Sequence, residues 1–316
     1  MRLGRFLCLW AAVMLLWGLC VGQSGRRPTS GDEEEVIRVR TEEVLLPVSV
    51  LDEAGRPVGG LEADNFFIYD NGVRQQITSF NRRRVPANIV LLLDASGSVF
   101  SQMRFIRAAA RRFVQGLRPE DRVAVMQFAD RVEVLQDWTS DREAVERAIA
   151  WRYRPGERTT FYDGLYRAAV DVLPRVEGRR IVILLTDGID TAEERRAGPE
   201  EALTALRRVE ATVYVVSLTE RLRREYRLTG AGEQVVSGAE AFLEQLAAGT
   251  GGRVIYPVRD EDLEPAYEAI AEELRTQYII TYRPHPAARA GEWRQVKVLV
   301  APGGYRVLTR NGYEAK

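Results

Sequence analysis

The stretch Asn88–Gln102 reads NIVLLLDASGSVFSQ, and its first half decides the fold. Five apolar residues, Ile89 to Leu93, run unbroken into Asp94, and serines follow at positions 96 and 98. An apolar run of this kind reads as a strand buried on both faces, as in parallel sheets covered by helices. An aspartate at its mouth is a nucleophile, a metal ligand or a helix cap.

Outward from this strand, the pattern alternates between strand and helix. Further strand candidates are Arg122–Phe128, Val132–Leu135, Arg180–Thr186, Thr212–Leu218 and Arg253–Val258, with the first taken as Ile89–Asp94. Met103, Ile106, Ala110, Phe113, Val114 and Leu117 make one helical face, and Leu263, Tyr267, Ile270 and Leu274 another. The fold class predicted is α/β: a doubly wound, mostly parallel sheet with helices on both faces. Only Ala129-Asp130-Arg131 separates Arg122–Phe128 from Val132–Leu135, so that pair should form an antiparallel edge hairpin. Glu220 to Glu240 reads as a polar, solvated excursion.

The flanks are β-rich. Val44, Leu46, Val48 and Val50 share one parity, and NFFIYDNGVRQQITSF is a hairpin candidate with Asn71-Gly72 at its turn. After Gln277, QYIITYRP, RQVKVLV and YRVLTRNGY are strands without helices between them. The expected organisation is a signal segment (1–22), a linker (23–35), a small β module (36–84), the α/β domain (85–276) and C-terminal strands (277–316) that complete the β module.

The N-terminus has a basic start, an apolar run from Phe6 to Gly22 and a polar sequel, the layout of a secretory signal. The rival reading is an uncleaved membrane anchor; a lipoprotein signal at Cys20 is weak because bulky Leu19 precedes it. Export follows from either leading reading, to the periplasm, cell surface or medium. Both cysteines, Cys8 and Cys20, lie inside this segment, so the chain beyond it has neither disulfide nor thiol chemistry. Acidic and basic residues balance at 45 each, which gives no electrostatic case for nucleic acid or an anionic membrane. Lysine occurs only at 297 and 316.

Ligands of open parallel sheets collect beyond the strands' carboxyl ends. Three segments should reach that edge: Asp94, Ser96 and Ser98; Asp187-Gly188 after the apolar run Ile181 to Leu185; and the loop GERTTFYDGL with Thr159 and Thr160. They bring together carboxylates and hydroxyls with no histidine or cysteine. Hard oxygen ligands of low charge suit Mg²⁺, with Mn²⁺ or Ca²⁺ as alternatives, and not structural zinc.

These residues resemble a known family. DASGS is similar to the Asp-x-Ser-x-Ser element of the metal-ion-dependent adhesion site (MIDAS) in von Willebrand factor type A domains, LLTDG to its later aspartate, and TTFYDGL to its threonine loop. The resemblance runs from about Ala87 to Thr276, and the flanks are similar to a bacterial exported subfamily. It implies ligands Asp94, Ser96, Ser98 and Thr159, with Asp187 direct or through water. Glu157-Arg158 stand where family sequences carry a glycine pair, and Thr160 is the alternative threonine. It also implies protein binding or cell adhesion, with a partner's Asp or Glu carboxylate completing the metal shell. In some relatives that step repositions the last helix, here about 260–276.

Blander readings compete. Asp-x-Ser-x-Ser alone arises by chance in on the order of one chain in ten of this length. Asp94 or Ser96 could cap a helix starting near Ser101. Asp163 reads as steadying its helix start, Asp190 as solvated and His285 as a surface residue. A phosphatase of the haloacid dehalogenase type needs a second acid at position 96, which is Ser. Neither a serine hydrolase nor a dinucleotide motif fits around Ser96. The expectation is a non-enzyme, with a structural envelope protein as the alternative.

Overall fold

A computed structural model of the chain describes residues 43–81 and 85–316. The expected signal segment and linker, and the start of the β module, lie outside the described residues. Among the described residues, no helix is long and apolar enough to cross a membrane.

Four strands come first: β1 (Val44–Leu51), β2 (Phe66–Asp70), β3 (Val73–Gln75) and β4 (Ile77–Asn81). The alternating part opens with β5 (Ala87–Asp94), α1 (Met103–Gly116), β6 (Arg122–Phe128), β7 (Val132–Thr139), α2 (Arg142–Trp151) and α3 (Phe161–Arg167). It continues with β8 (Arg179–Thr186), α4 (Pro199–Arg208), β9 (Thr212–Ser217), α5 (Thr219–Tyr226), α6 (Ala231–Thr250), β10 (Val254–Ile255) and α7 (Leu263–Thr276). The last strands are β11 (Tyr278–Tyr282), β12 (Trp293–Val300), β13 (Arg306–Leu308) and β14 (Gly312–Glu314).

The central sheet runs β10-β9-β8-β5-β6-β7, parallel except for the β6–β7 edge hairpin. All eight residues of β5 are buried. Its side chains alternate between two cores: Ile89, Leu91 and Leu93 meet α1, α2 and α7, while Val90 and Leu92 meet α3, α4 and α6. This two-sided cover is why the strand reads as an unbroken apolar run. Strand order reverses around β5, whose chain passes first to β6 on one side and later returns as β8 on the other.

The flanks form two four-stranded antiparallel sheets, β13-β1-β11-β4 and β14-β12-β2-β3. Each mixes N- and C-terminal strands, so the fold class is the one expected. Asn71 and Gly72 take φ of 47° and 79° at the β2–β3 turn, as a two-residue primed turn requires. The run Asn65–Phe80, however, does not stay in one sheet, because β4 leaves β3 to pair with β11.

Two expectations are corrected. Residues 220–240 are not a solvated excursion: they form α5 and the first half of α6, where Val236 and Ala239 are buried. Their few apolar residues hid a helix whose inner face continues through Leu243, Leu246 and Ala247. The strand expected over 253–258 shrinks to Val254–Ile255 at the sheet edge. There Gly252 lies so close to the Val213 carbonyl that a Cβ would sit 2.0 Å from its oxygen.

Inside the β module, Asp70 is fully buried. It accepts hydrogen bonds from Arg294 Nε at 2.6 Å, Tyr282 at 2.8 Å and Tyr313 at 2.9 Å. Removing one member of a buried ion pair strands the other charge. Asp70→Ala should therefore lower the unfolding free energy by about 3–5 kcal/mol in urea denaturation followed by circular dichroism. A loss under about 1 kcal/mol would show that Arg294 finds another partner.

Candidate metal centre

Asp94 ends β5 and Thr186 ends β8, its neighbour across the point where strand order reverses. Asp94 is fully buried. Its Oδ1 accepts from the Ser96 backbone N at 2.9 Å and Ser96 Oγ at 2.5 Å, and its Oδ2 from Thr186 Oγ1 at 2.7 Å. Ser96 Oγ lies 3.0 Å from Ser98 Oγ, which donates to Asp187 Oδ2 at 2.6 Å. The Ile189 N–H holds the other Asp187 oxygen at 3.0 Å. Asp94, Ser96, Ser98 and Asp187 thus form one continuous chain of oxygens at the carboxyl edge of the sheet. Gly188 has φ of 74°, and a Cβ there would meet Leu243 at 3.0 Å, so glycine allows the turn after Asp187.

The capping reading fails. A 3₁₀ stretch, Gly97–Gln102, intervenes before α1, and neither Asp94 nor Ser96 caps a helix with its side chain. The Ser96 hydroxyl and N–H turn back to Asp94 instead.

The threonine loop is braced from three sides. Gly156 N donates to the Ala95 carbonyl at 2.8 Å, and a Cβ on Gly156 would stand 2.6 Å from an Asp130 carboxylate oxygen. Asp130, at the β6–β7 turn, accepts from the N–H groups of Glu157 and Arg158, the pair in place of two glycines. Thr159 is buried, and its backbone is bonded twice to Thr191: Thr159 N to Thr191 Oγ1 at 2.9 Å, and Thr191 N to Thr159 O at 3.0 Å. Thr160 N donates to the Ala129 carbonyl at 2.9 Å, while its buried hydroxyl has no partner.

Asp190 and Asp163 differ from expectation. The Asp190 side chain is only 2% exposed. It accepts from the N–H groups of Tyr162 and Ala192 and pairs with Arg195 at 2.8 Å. Asp163 does not steady its own helix start; it accepts from the N–H groups of Arg196 and Ala197 at 2.8 and 2.9 Å. Each aspartate thus reaches the other's loop, and together they lock the threonine loop to the segment after Asp187. His285 is exposed, as expected.

Sequence reading missed three groups that shape the site. Thr186 stood only as the last residue of a predicted strand, and neither Thr191 nor Tyr153 was singled out. The Tyr153 hydroxyl is buried and donates to the Asp94 backbone carbonyl. A strand-terminal hydroxyl directly before Asp187 was the one available signal.

The electrostatics identify what the site lacks. Among the described residues, the other fully buried carboxylates, Asp70 and Glu273, are paired with Arg294 and Arg253. Among the described residues, no arginine or lysine pairs with Asp94 or Asp187. Burial, then the charge of Asp187, raises the Asp94 carboxyl to about 7, and burial raises Asp187 as well. Two desolvated carboxylates, three hydroxyls in contact with them and no protein cation fit a hard divalent ion. Asp94, Ser96, Ser98 and Asp187 would hold it, with a threonine from the 159–160 pair.

Residues 88–269 match the family model for the von Willebrand factor type A domain, more than half of the chain. The chain belongs to the von Willebrand factor type A family. A relative from Nocardia farcinica, described as a UPF0353 protein, is 26% identical over 220 residues, covering 61% of this chain and 65% of its own length. Proximal thread matrix protein 1 from the mussel byssus, solved with a zinc-occupied MIDAS motif, is 21% identical at a TM-score of 0.48. That match covers 63% of this chain and 48% of the matrix protein. A von Willebrand factor type A protein from Catenulispora acidiphila is 12% identical at a TM-score of 0.48, covering 88% of this chain and 75% of its own. The chain thus spans less than two thirds of the first two relatives. VWA domains with a MIDAS motif bind divalent metals.

A carboxyl raised to about 7 in the fold, against an ordinary value of 3.8, holds a proton that the unfolded chain releases. Between those values the folded state binds more protons, so metal-free stability falls as pH rises from about 4 through 7. In EDTA the melting temperature should therefore drop from about pH 5 to pH 8, Mg²⁺ should restore it at the higher pH, and Asp94→Asn should flatten both responses. An EDTA melting curve unchanged across that range would show that Asp94 stays ionised in the fold.

Proposed function

We propose that this chain is an exported protein-binding module that holds Mg²⁺ at Asp94, Ser96, Ser98, Thr159 and Asp187 and captures a carboxylate from a partner protein. The observation that carries this reading is the pair of buried carboxylates with no protein cation beside them. Ser98 is exposed while Asp94, Ser96 and Asp187 are buried, so the oxygen cluster opens to solvent at Ser98. A metal held by these residues would be reachable by an external ligand from the Ser98 side. An acidic side chain suits that position, because a carboxylate oxygen is a hard donor of the kind such an ion prefers.

Export rests on the N-terminal sequence, with its basic start and apolar run. No residue is assigned a catalytic role. Position 96 holds a serine bonded to Asp94, so the proton donor a phosphatase would place there is missing. The single histidine, His285, sits between β11 and β12 on the flanking module.

Mn²⁺ is a spectroscopic stand-in for Mg²⁺ at oxygen sites. Titration of the full chain followed by electron paramagnetic resonance should show a bound fraction that Asp94→Ala abolishes while the circular dichroism spectrum persists. Equal Mn²⁺ binding by both proteins would place the metal elsewhere and end this reading.

A further inference from the structure

Among the described residues, the two most exposed large apolar side chains are Trp151, 71% exposed, and Phe100, 63% exposed. Each stands two residues from a group that shapes the oxygen site. Phe100 follows Ser98, whose hydroxyl donates to Asp187, and Trp151 precedes Tyr153, whose hydroxyl donates to the Asp94 carbonyl. The topology puts both at one edge. α2 follows the antiparallel strand β7, so it runs back toward the carboxyl ends of the parallel strands and finishes at Trp151. Phe100 lies in the 3₁₀ stretch that leads into α1, and Arg107 on α1 donates to the Tyr153 carbonyl at 2.8 Å. The first turns of α1 therefore lie against the 151–153 segment.

Among the described residues, the exposed side chains of Arg104 and Arg154 have no ion-pair partner, whereas Arg158 and Arg195 are paired with Glu193 and Asp190. The exposed carboxylates Asp130, Glu157 and Glu194 likewise have no ion-pair partner among the described residues. The rim bears two largely exposed aromatic rings. Aromatic and arginine side chains are the residues that anchor interfaces, and exposed apolar groups beside a polar site mark contact surfaces.

We propose that the segment captured at this site carries a large apolar residue next to its metal-binding carboxylate, and that Phe100 and Trp151 receive it. This rests on the carboxylate-capture reading and names the partner's chemistry: an acidic residue with an aromatic or long aliphatic neighbour. The carboxylate supplies the metal bond, and the apolar neighbour supplies the discrimination among acidic segments, because a dication by itself accepts any of them.

The test is selection of random short peptides, displayed on phage, against the full chain in Mg²⁺ and, in parallel, in EDTA. Enriched peptides should carry Asp or Glu in Mg²⁺ alone, with Phe, Trp, Leu or Ile adjacent. Both aromatic side chains are exposed, so Phe100→Ser and Trp151→Ser should fold and bind Mn²⁺ as the parent does. Phe100→Ser should lose the adjacency preference and bind an enriched peptide about tenfold more weakly by fluorescence anisotropy. Acidic peptides enriched with no apolar neighbour, or an adjacency preference kept by both variants, would overturn the proposal while leaving carboxylate capture standing. No Mg²⁺-dependent enrichment of acidic peptides would overturn capture itself, and this inference with it.

Discussion

Two carboxylates buried side by side without an arginine are the constraint around which this domain is arranged. Elsewhere among the described residues a fully buried acid is paired with a cation, as at Asp70–Arg294 and Glu273–Arg253. At Asp94 and Asp187 it supplies hydroxyls and N–H groups, which soften the desolvation without neutralising the charge. Such a site asks for an external cation, and its position between β5 and β8 follows from the reversal of strand order there. The apolar strands bring the acids to the edge, and the loops bring the oxygens to the acids.

The supports around that pair are themselves polar and reciprocal. Asp163 and Asp190 cross-link two loops, Thr191 holds the Thr159 backbone, and Asp130 carries the threonine loop from the edge hairpin. The last helix is tied at both ends. Near its start Asp260 pairs with Arg221, and near its end the buried Glu273 accepts from Tyr214 and Arg253. A displacement of this helix of the kind some relatives undergo would have to part a buried ion pair, which costs more than parting an exposed one.

How much of this could be read in advance depended on the range of the interactions involved. β5 and β8 were legible because burial on both faces imposes an uninterrupted apolar run. Asp94, Ser96, Ser98 and Asp187 were legible as candidates because they directly follow those strands. The helices at 219–250 were obscured by their polar faces, since only one stripe, through Val236 and Leu243, enters the core. Tyr153, Thr191 and the exchange between Asp163 and Asp190 left no trace, because each joins loops 28 to 59 positions apart by contacts that only folding creates. The parting of β3 from β4 was hidden for the same reason: one alternating run supplies two sheets, and pairing with β11 decides which.

That last pairing has a mechanical meaning. β4 leads into the α/β domain and β11 leads out of it, and the two are hydrogen-bonded neighbours, with Asn81 opposite Ile279. The chain therefore leaves the flanking sheet and returns to it at almost the same point. Tension between the two chain termini would shear the β module and bypass the α/β domain. A pull on a partner held at Asp94, as proposed, would instead descend through the buried strands of the central sheet and leave through the β4–β11 seam. If the proposed capture takes place at Asp94, the geometry would separate the element that grips from the element that bears the pull, joining them along one antiparallel seam.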